Sequence, residues 1–116
     1  MIPFKNRFHG HKSLGYVYKN GEAIRSHLLT VKFIANPHRS DSRIAVVISK
    51  KTLKSAVRRN QIRRRVYEVV RLILPKFKGI YDITFIISNS EIINLTHDEL
   101  TDQISELIYQ AGIVSK

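Results

Sequence analysis

Between Lys50 and Arg71 the chain places nine basic residues (Lys50, Lys51, Lys54, Arg58, Arg59, Arg63, Arg64, Arg65 and Arg71) against a single acid, Glu68. Charge at that density repels itself and attracts phosphate. Any fold must therefore give these cations solvent, a partner or a polyanion, while burying the apolar residues interleaved with them. Ile62, Val66, Val69, Val70 and Ile73 fall at i, i+4, i+7, i+8 and i+11, which is the buried stripe of a helix over Ser55–Leu74. At a turn of 100° per residue, Asn60, Arg64, Tyr67 and Arg71 lie roughly 140–200° from Ile62, with Arg63 near 100°. The face opposite the core is expected to be a ladder of guanidinium groups, an amide and an aromatic ring. Guanidinium forks bind phosphate bidentately and stack on bases, and Tyr can stack. Lys50 and Lys51, leaving the preceding strand, and Lys54, Arg58 and Arg59 around the helix start are expected to extend the same surface.

The imbalance is regional. Residues 1–71 hold 17 Lys/Arg against 3 acids, a balance of +14, and residues 72–116 hold 3 Lys/Arg against 6 acids, a balance of −3. Hydrophobic residues make up 43% of the 116, enough for one modest core and too many for a disordered basic tail. The chain reads as a single domain over residues 1–116.

Leu14, Val17 and Tyr18 sit at i, i+3 and i+4 within Ser13–Lys19, with Gly21 just after, which predicts a short helix. His27–Ile34 alternates, with Leu29, Val31 and Phe33 on one side, as a half-buried strand does. After the polar turn cluster Asn36–Asp41, the β-branched run Ile44–Ser49 suits a central strand. The short loop between these two runs suggests an antiparallel pair. Pro75 ends the basic helix. Ile80–Ile87 is a further apolar strand, with Asp82 and Thr84 on one face and Tyr81, Ile83 and Phe85 on the other. Thr96-His97-Asp98-Glu99 fits a capping box, followed by Leu100, Ile104, Leu107, Ile108 and Ala111 at helical spacing up to Gly112. With a short strand near Glu22–Arg25 the order is α-β-β-β-α-β-α. The fold class is α+β, a single-domain α-β sandwich with a mixed sheet of about four strands and helices packed on it.

Cysteine is absent, so disulfides, a thiol nucleophile and cysteine zinc sites are excluded, in keeping with a reducing cytoplasm. No apolar run reaches the 18 residues of a membrane span, and Met1–Arg7 lacks the apolar core of a secretory signal. The histidines (His9, His11, His27, His38, His97) show no H-x-x-x-H spacing, and no Gly-rich phosphate loop or G-x-S-x-G elbow is present. No catalytic residue and no protein-held metal is expected in the chain itself. Asp98, Glu99, Asp102 and Glu106 read as the solvated face of the last helix. Membrane-surface binding through Ser55–Leu74 conflicts with the need of a small core for that helix's apolar stripe. The partner expected is a nucleic acid, and the basic surface alone does not choose between DNA and RNA.

Ser49-Lys50-Lys51 followed by Ser55-Ala56-Val57-Arg58-Arg59-Asn60-Gln61-Ile62-Arg63-Arg64 resembles the "RNR" region of the bacterial ribonuclease P protein component. In that family a strand ending in Ser/Ala-Lys-Lys leads into a helix with Arg-Asn-x-x-Lys/Arg-Arg. Arg43–Ile48 is similar to the family's strand, with Ala45 where Gly is common. Arg7-Phe8, Leu14, Val17-Tyr18, Gly21 and Asp82-Ile83 extend the likeness over most of the chain. The resemblance implies an α-β sandwich with a left-handed βαβ crossover. It also implies a protein subunit, one per RNA with no obligate homo-oligomer, that binds a large catalytic RNA. That ribonucleoprotein cuts the 5′ leader from precursor tRNA with Mg²⁺ held mainly by the RNA. By position, the RNR set is Lys50, Lys51, Lys54, Arg58, Arg59, Asn60, Arg63 and Arg64; Tyr67 and Arg71 join it from the face reading above, Tyr67 standing where Arg often closes the motif. The leader set implied is Leu14, Tyr18, Lys32 and Phe33, with Leu14 where Phe is usual and Lys32 where an aromatic is often seen. A ribosomal or other general RNA-binding protein is the alternative that the basic surface alone would also serve.

Overall fold

The structure, a computed structural model, describes residues 11–37 and 39–114, with side chains described from Tyr16 onward. His9 and His38, and the side chains of His11 and Leu14, lie outside the described residues. The elements run α1 (His11–Asn20), β1 (Glu22–Arg25), β2 (Leu29–Ala35), β3 (Arg43–Ile48), α2 (Ala56–Ile73), β4 (Tyr81–Ile87) and α3 (His97–Gln110). This is the expected order, with 3₁₀ turns added at Leu74–Lys76 and Ser90–Asn94. Ser55 caps α2, its hydroxyl accepting from the Arg58 N–H at 3.2 Å. Thr96 and Glu99 form the reciprocal capping box of α3, at 2.8 Å and 3.1 Å.

The four strands lie in the order β1-β2-β4-β3. β2 pairs antiparallel with β1 and β4, and β3 pairs in parallel with β4, Ile44 opposite Ile83. The expected pairing of the His27–Ile34 and Ile44–Ser49 runs is therefore not formed, because β4 lies between them. The connection from β2 to β3 spans two inter-strand spacings, about 10 Å. The start of β4 is bonded to both flanks of that connection, Asn36 N–H to Ile80 O at 2.8 Å and Tyr81 N–H to Ser42 Oγ at 2.9 Å. β3 is thus an edge strand, with β4 as its single neighbour. Its apolar run reflects burial of one face under α2 and α3 and partial cover of the other by α1, and not pairing on both sides.

Leu29, Val31 and Phe33, Ile44, Val46 and Ile48, and Ile83, Phe85 and Ile87 project from one sheet face into a core with the stripes of α2 and α3. Each such side chain taken fully out of water contributes about 1.5–3 kcal/mol. On the other face α1 crosses the sheet, with Val17 fully buried against Ala45 and beside Ile34. Gly21 ends this helix, its N–H donating to Val17 O at 2.8 Å. A Cβ at Gly21 would stand 2.6 Å from Val17 O and 2.7 Å from Phe33 O, so backbone meets backbone there.

Covering this second face buries two polar side chains of β4. Asp82, 3% exposed, accepts from Arg43 Nε at 2.9 Å, Arg43 Nη2 at 2.7 Å and Asn36 Nδ2 at 2.9 Å, which ties β2, β3 and β4 together at one end. Burial alone would raise its pKa; the hydrogen bonds from Arg43 and Asn36 and the charges of Arg43 and Arg39 outweigh it and hold the carboxyl below the ordinary aspartate range. Thr84 is fully buried, and its hydroxyl has no hydrogen-bond partner among the described residues.

Two outcomes are expected. Asp82→Ala, which removes the carboxylate that accepts from Arg43 and Asn36, should cost roughly 1.5–3 kcal/mol in chemical denaturation. The Asp82 contribution is complete above the unfolded-state pKa and is lost as the pH falls through the lowered folded value, so the variant's acid limb should be shallower than that of the parent. Thr84→Val removes an unsatisfied hydroxyl at nearly constant shape and should raise stability by about 1 kcal/mol; an unchanged or lower melting temperature would show that the hydroxyl is satisfied in solution.

Candidate nucleic-acid interface

The nine cations of Lys50–Arg71 divide into two groups once folded. Four are engaged inside the molecule. Arg59 Nη1 donates to Leu53 O at 2.8 Å and Lys54 O at 2.9 Å, pinning the loop before α2. Arg63 donates to Asn60 Oδ1 at 2.8 Å one turn away. Arg65 Nη2 reaches Leu95 O at 2.6 Å and fastens α2 to the segment entering α3. Arg71 pairs with Glu68, whose carboxyl that hydrogen bond holds below its ordinary range. The other five (Lys50, Lys51, Lys54, Arg58 and Arg64) are exposed, and their side chains form no hydrogen bond or ion pair among the described residues.

These five gather around the start of α2 and its outward face. Ser49 Oγ accepts from the Thr52 N–H at 3.2 Å, and Ser49 O accepts from the Thr52 and Leu53 N–H groups at 3.1 Å, so the loop carrying Lys50, Lys51 and Lys54 is a closed turn. No acid occupies the first turn of α2, where the helix dipole would favour one. Arg58 stands there instead. The positive end of this 18-residue helix thus carries ammonium and guanidinium groups, an arrangement whose charge and N–H groups suit an anion. Tyr67 departs from the expected outer ladder: it is half-buried and packs against the core, because 140° from Ile62 reaches the neighbouring side chains on one flank of α2.

The second surface lies on the α1 side of the sheet. Tyr18 leaves α1 with its ring 39% exposed, and Lys32 Nζ lies 5.3 Å from the ring centroid. Partial burial pushes the Tyr18 phenol above its ordinary pKa. Lys32 belongs to a row across the sheet with Ala23, Thr84 and Ala45. In the next row, Thr30, Ile86 and Val47 are half-exposed beyond α1. Thr84 and Ala45 are buried, and Thr30, Ile86 and Val47 make an open floor that runs from the Tyr18–Lys32 pair toward Ser49 and Lys50 at the end of β3. Phe33 is absent from it: one residue from Lys32, it faces the opposite way and is 5% exposed in the core. The floor residues Thr30, Val47 and Ile86 were not among the sequence-derived candidates. Strict alternation along Ile44–Ser49 would have found Val47, since Ile44, Val46 and Ile48 claim the core side. Among the described residues no three His, Asp or Glu side chains come together in a way that could hold a metal ion, and no helix is long and apolar enough to cross a membrane.

Arg64 and Arg65 are adjacent in the chain and opposite in role, which makes them a direct test. Arg64→Ala should weaken binding to a structured RNA by about 1–3 kcal/mol and flatten the salt slope by about one unit, with the melting temperature unchanged. Arg65→Ala should lower the melting temperature and leave the salt slope alone.

Comparison with known proteins places this geometry. The Ribonuclease P family model matches residues 2–112. A ribonuclease P protein component of Chloroflexus aurantiacus is 40% identical over 81 residues, which cover 70% of this chain and 59% of that relative's length. One from Clostridium botulinum is 33% identical over 110 residues, covering 94% of this chain and 96% of that one. Among solved structures, the Staphylococcus aureus RNase P protein superposes with a TM-score of 0.84 at 20% identity, covering 95% of this chain and 98% of that one. The Thermotoga maritima RNase P protein gives 0.80 at 21% identity, covering 90% and 96%. These structural likenesses establish the shared fold, and the family model together with the sequence relatives establishes descent: the chain belongs to the family of ribonuclease P protein components.

Proposed function

We propose that the chain is the protein subunit of a ribonuclease P ribonucleoprotein, and that it serves the removal of the 5′ leader from precursor tRNA. The observation that carries this reading is the joining of two different surfaces. A cluster of five unpartnered cations at the start and on the face of α2 suits a folded RNA, and a half-exposed sheet floor with an aromatic edge suits a single strand. The floor ends where the cation cluster begins. A strand laid along it would meet the bound RNA at the β3–α2 turn.

In this reading Lys50, Lys51, Lys54, Arg58 and Arg64 neutralise phosphates of the catalytic RNA, and release of its counterions supplies much of the affinity. Arg59 and Arg63 act one step back, holding the loop and Asn60 in place for that contact. The leader lies over Thr30, Val47 and Ile86 beside Tyr18 and Lys32, using base stacking and phosphate neutralisation without base-edge readout. Contacts made to the leader are lost with it, so affinity for the substrate exceeds affinity for the mature product, and the product leaves. The positive charge brought near the cleavage site lowers phosphate repulsion there. The Mg²⁺ dependence of the reaction belongs to the RNA subunit in this scheme. No step is assigned to a metal held by this chain.

The test is cleavage of a precursor tRNA by a bacterial ribonuclease P RNA at limiting Mg²⁺, with and without this protein. Stimulation of cleavage is expected, together with tighter binding of leader-bearing than of leaderless tRNA. Absence of stimulation overturns the proposal. Equal binding of the two tRNAs identifies a general RNA-binding protein instead.

A further inference from the structure

Tyr18 and Lys32 come from different elements, α1 and β2, and meet over the sheet floor. Lys32 points away from the core because Val31 and Phe33, its neighbours in the strand, point into it. Its ammonium lies 5.3 Å from the centroid of the Tyr18 ring, and neither side chain has a hydrogen bond or ion pair among the described residues. The ring is 39% exposed, yet a cation already sits over it. A base arriving on that face has to displace the ammonium or stack elsewhere. An ammonium on a half-exposed ring is held weakly. A phosphate offers it a charge-assisted hydrogen bond, which is stronger.

We propose that Lys32 is an exchange residue that sets how a single strand is held in this cleft: its ammonium leaves the Tyr18 ring for a backbone phosphate, and the adjoining base takes the vacated ring face. The inference rests on the leader-binding reading above and goes beyond it, since it makes stacking at Tyr18 conditional on charge. Every nucleotide carries a phosphate and every base a π-face, so the exchange is indifferent to base identity. It also makes the contact at this position depend on salt, whereas stacking on an open ring would depend on salt hardly at all. The two residues are consequently coupled. In the parent, losing the ring forfeits base stacking in the complex, but it also forfeits the ammonium–ring contact in the free protein, and the two losses partly cancel. With the ammonium removed, the ring is open in the free protein, and losing it forfeits the whole of the stacking.

The experiment uses the protein reconstituted with a bacterial ribonuclease P RNA and measures binding of precursor tRNA and of leaderless tRNA across a salt series. Lys32→Met is expected to lower the leader-dependent part of the affinity about 3–10-fold and to reduce its salt slope by about 0.7. Lys32→Arg is expected to keep the slope. Tyr18→Leu is expected to cost more in the Lys32→Met background than in the parent. Unaltered binding of leaderless tRNA reports that each variant is folded and assembled. An unchanged slope in Lys32→Met, or an equal or smaller cost of Tyr18→Leu in that background, overturns the exchange while leaving leader binding intact. If the unsubstituted protein shows no leader-dependent affinity, the leader-binding reading itself fails, and the exchange with it.

Discussion

The bidentate contact of Arg43 with Asp82 fixes the parallel pairing of β3 with β4, and the rest of the molecule is arranged around that pairing. The two residues are register partners at the start of both strands, and Asn36 extends the clasp to the end of β2. It is a buried ion pair, with side chains 15% and 4% exposed, so its main service is to register more than to net stability. Parallel neighbours cannot be joined by a tight turn. The chain must leave the far end of β3, travel back as α2 and re-enter beside it. The β3–α2 turn, the start of α2 and the ends of β3 and β4 consequently share one end of the sheet. The cations of Lys50–Arg58 are concentrated there because the strands are parallel. An antiparallel β3–β4 pair would have had no use for an 18-residue basic helix between them.

What the sequence revealed and what it concealed divide along physical lines. Periodicity located α2 and α3 to within a residue or two, since the apolar stripe and the side-chain caps are local properties. The short loop between β2 and β3 points to a hairpin that the fold does not form, because nothing local says that a later strand, β4, will insert between them. Lys32 and Phe33 show the force of a period of two. One step along β2 separates a cleft residue from a core residue, and a motif alignment that does not track the pleat takes in both. The fate of each arginine was equally hidden. Arg59 and Arg65 bind backbone carbonyls that only the folded chain brings near, at Leu53, Lys54 and Leu95. No sequence spacing distinguishes them from Arg58 and Arg64.

This division of labour among like charges also explains how so basic a segment folds. A segment with nine unsatisfied cations would push itself apart; one in which four are spent on carbonyls, an amide and Glu68 carries fewer free charges, and those are spread along a turn and one helix face. The acids of α3, on the solvent side of the neighbouring helix, soften the field further. The arginines that build the scaffold also place the cations left over.

Gly21 sets how α1 sits on the sheet. The end of α1 and β2 approach there backbone to backbone, leaving no room even for a methyl group between Val17 O and Phe33 O. The height of α1 above β2 at this end is therefore gauged by main-chain atoms, whose size no substitution elsewhere in the chain can change.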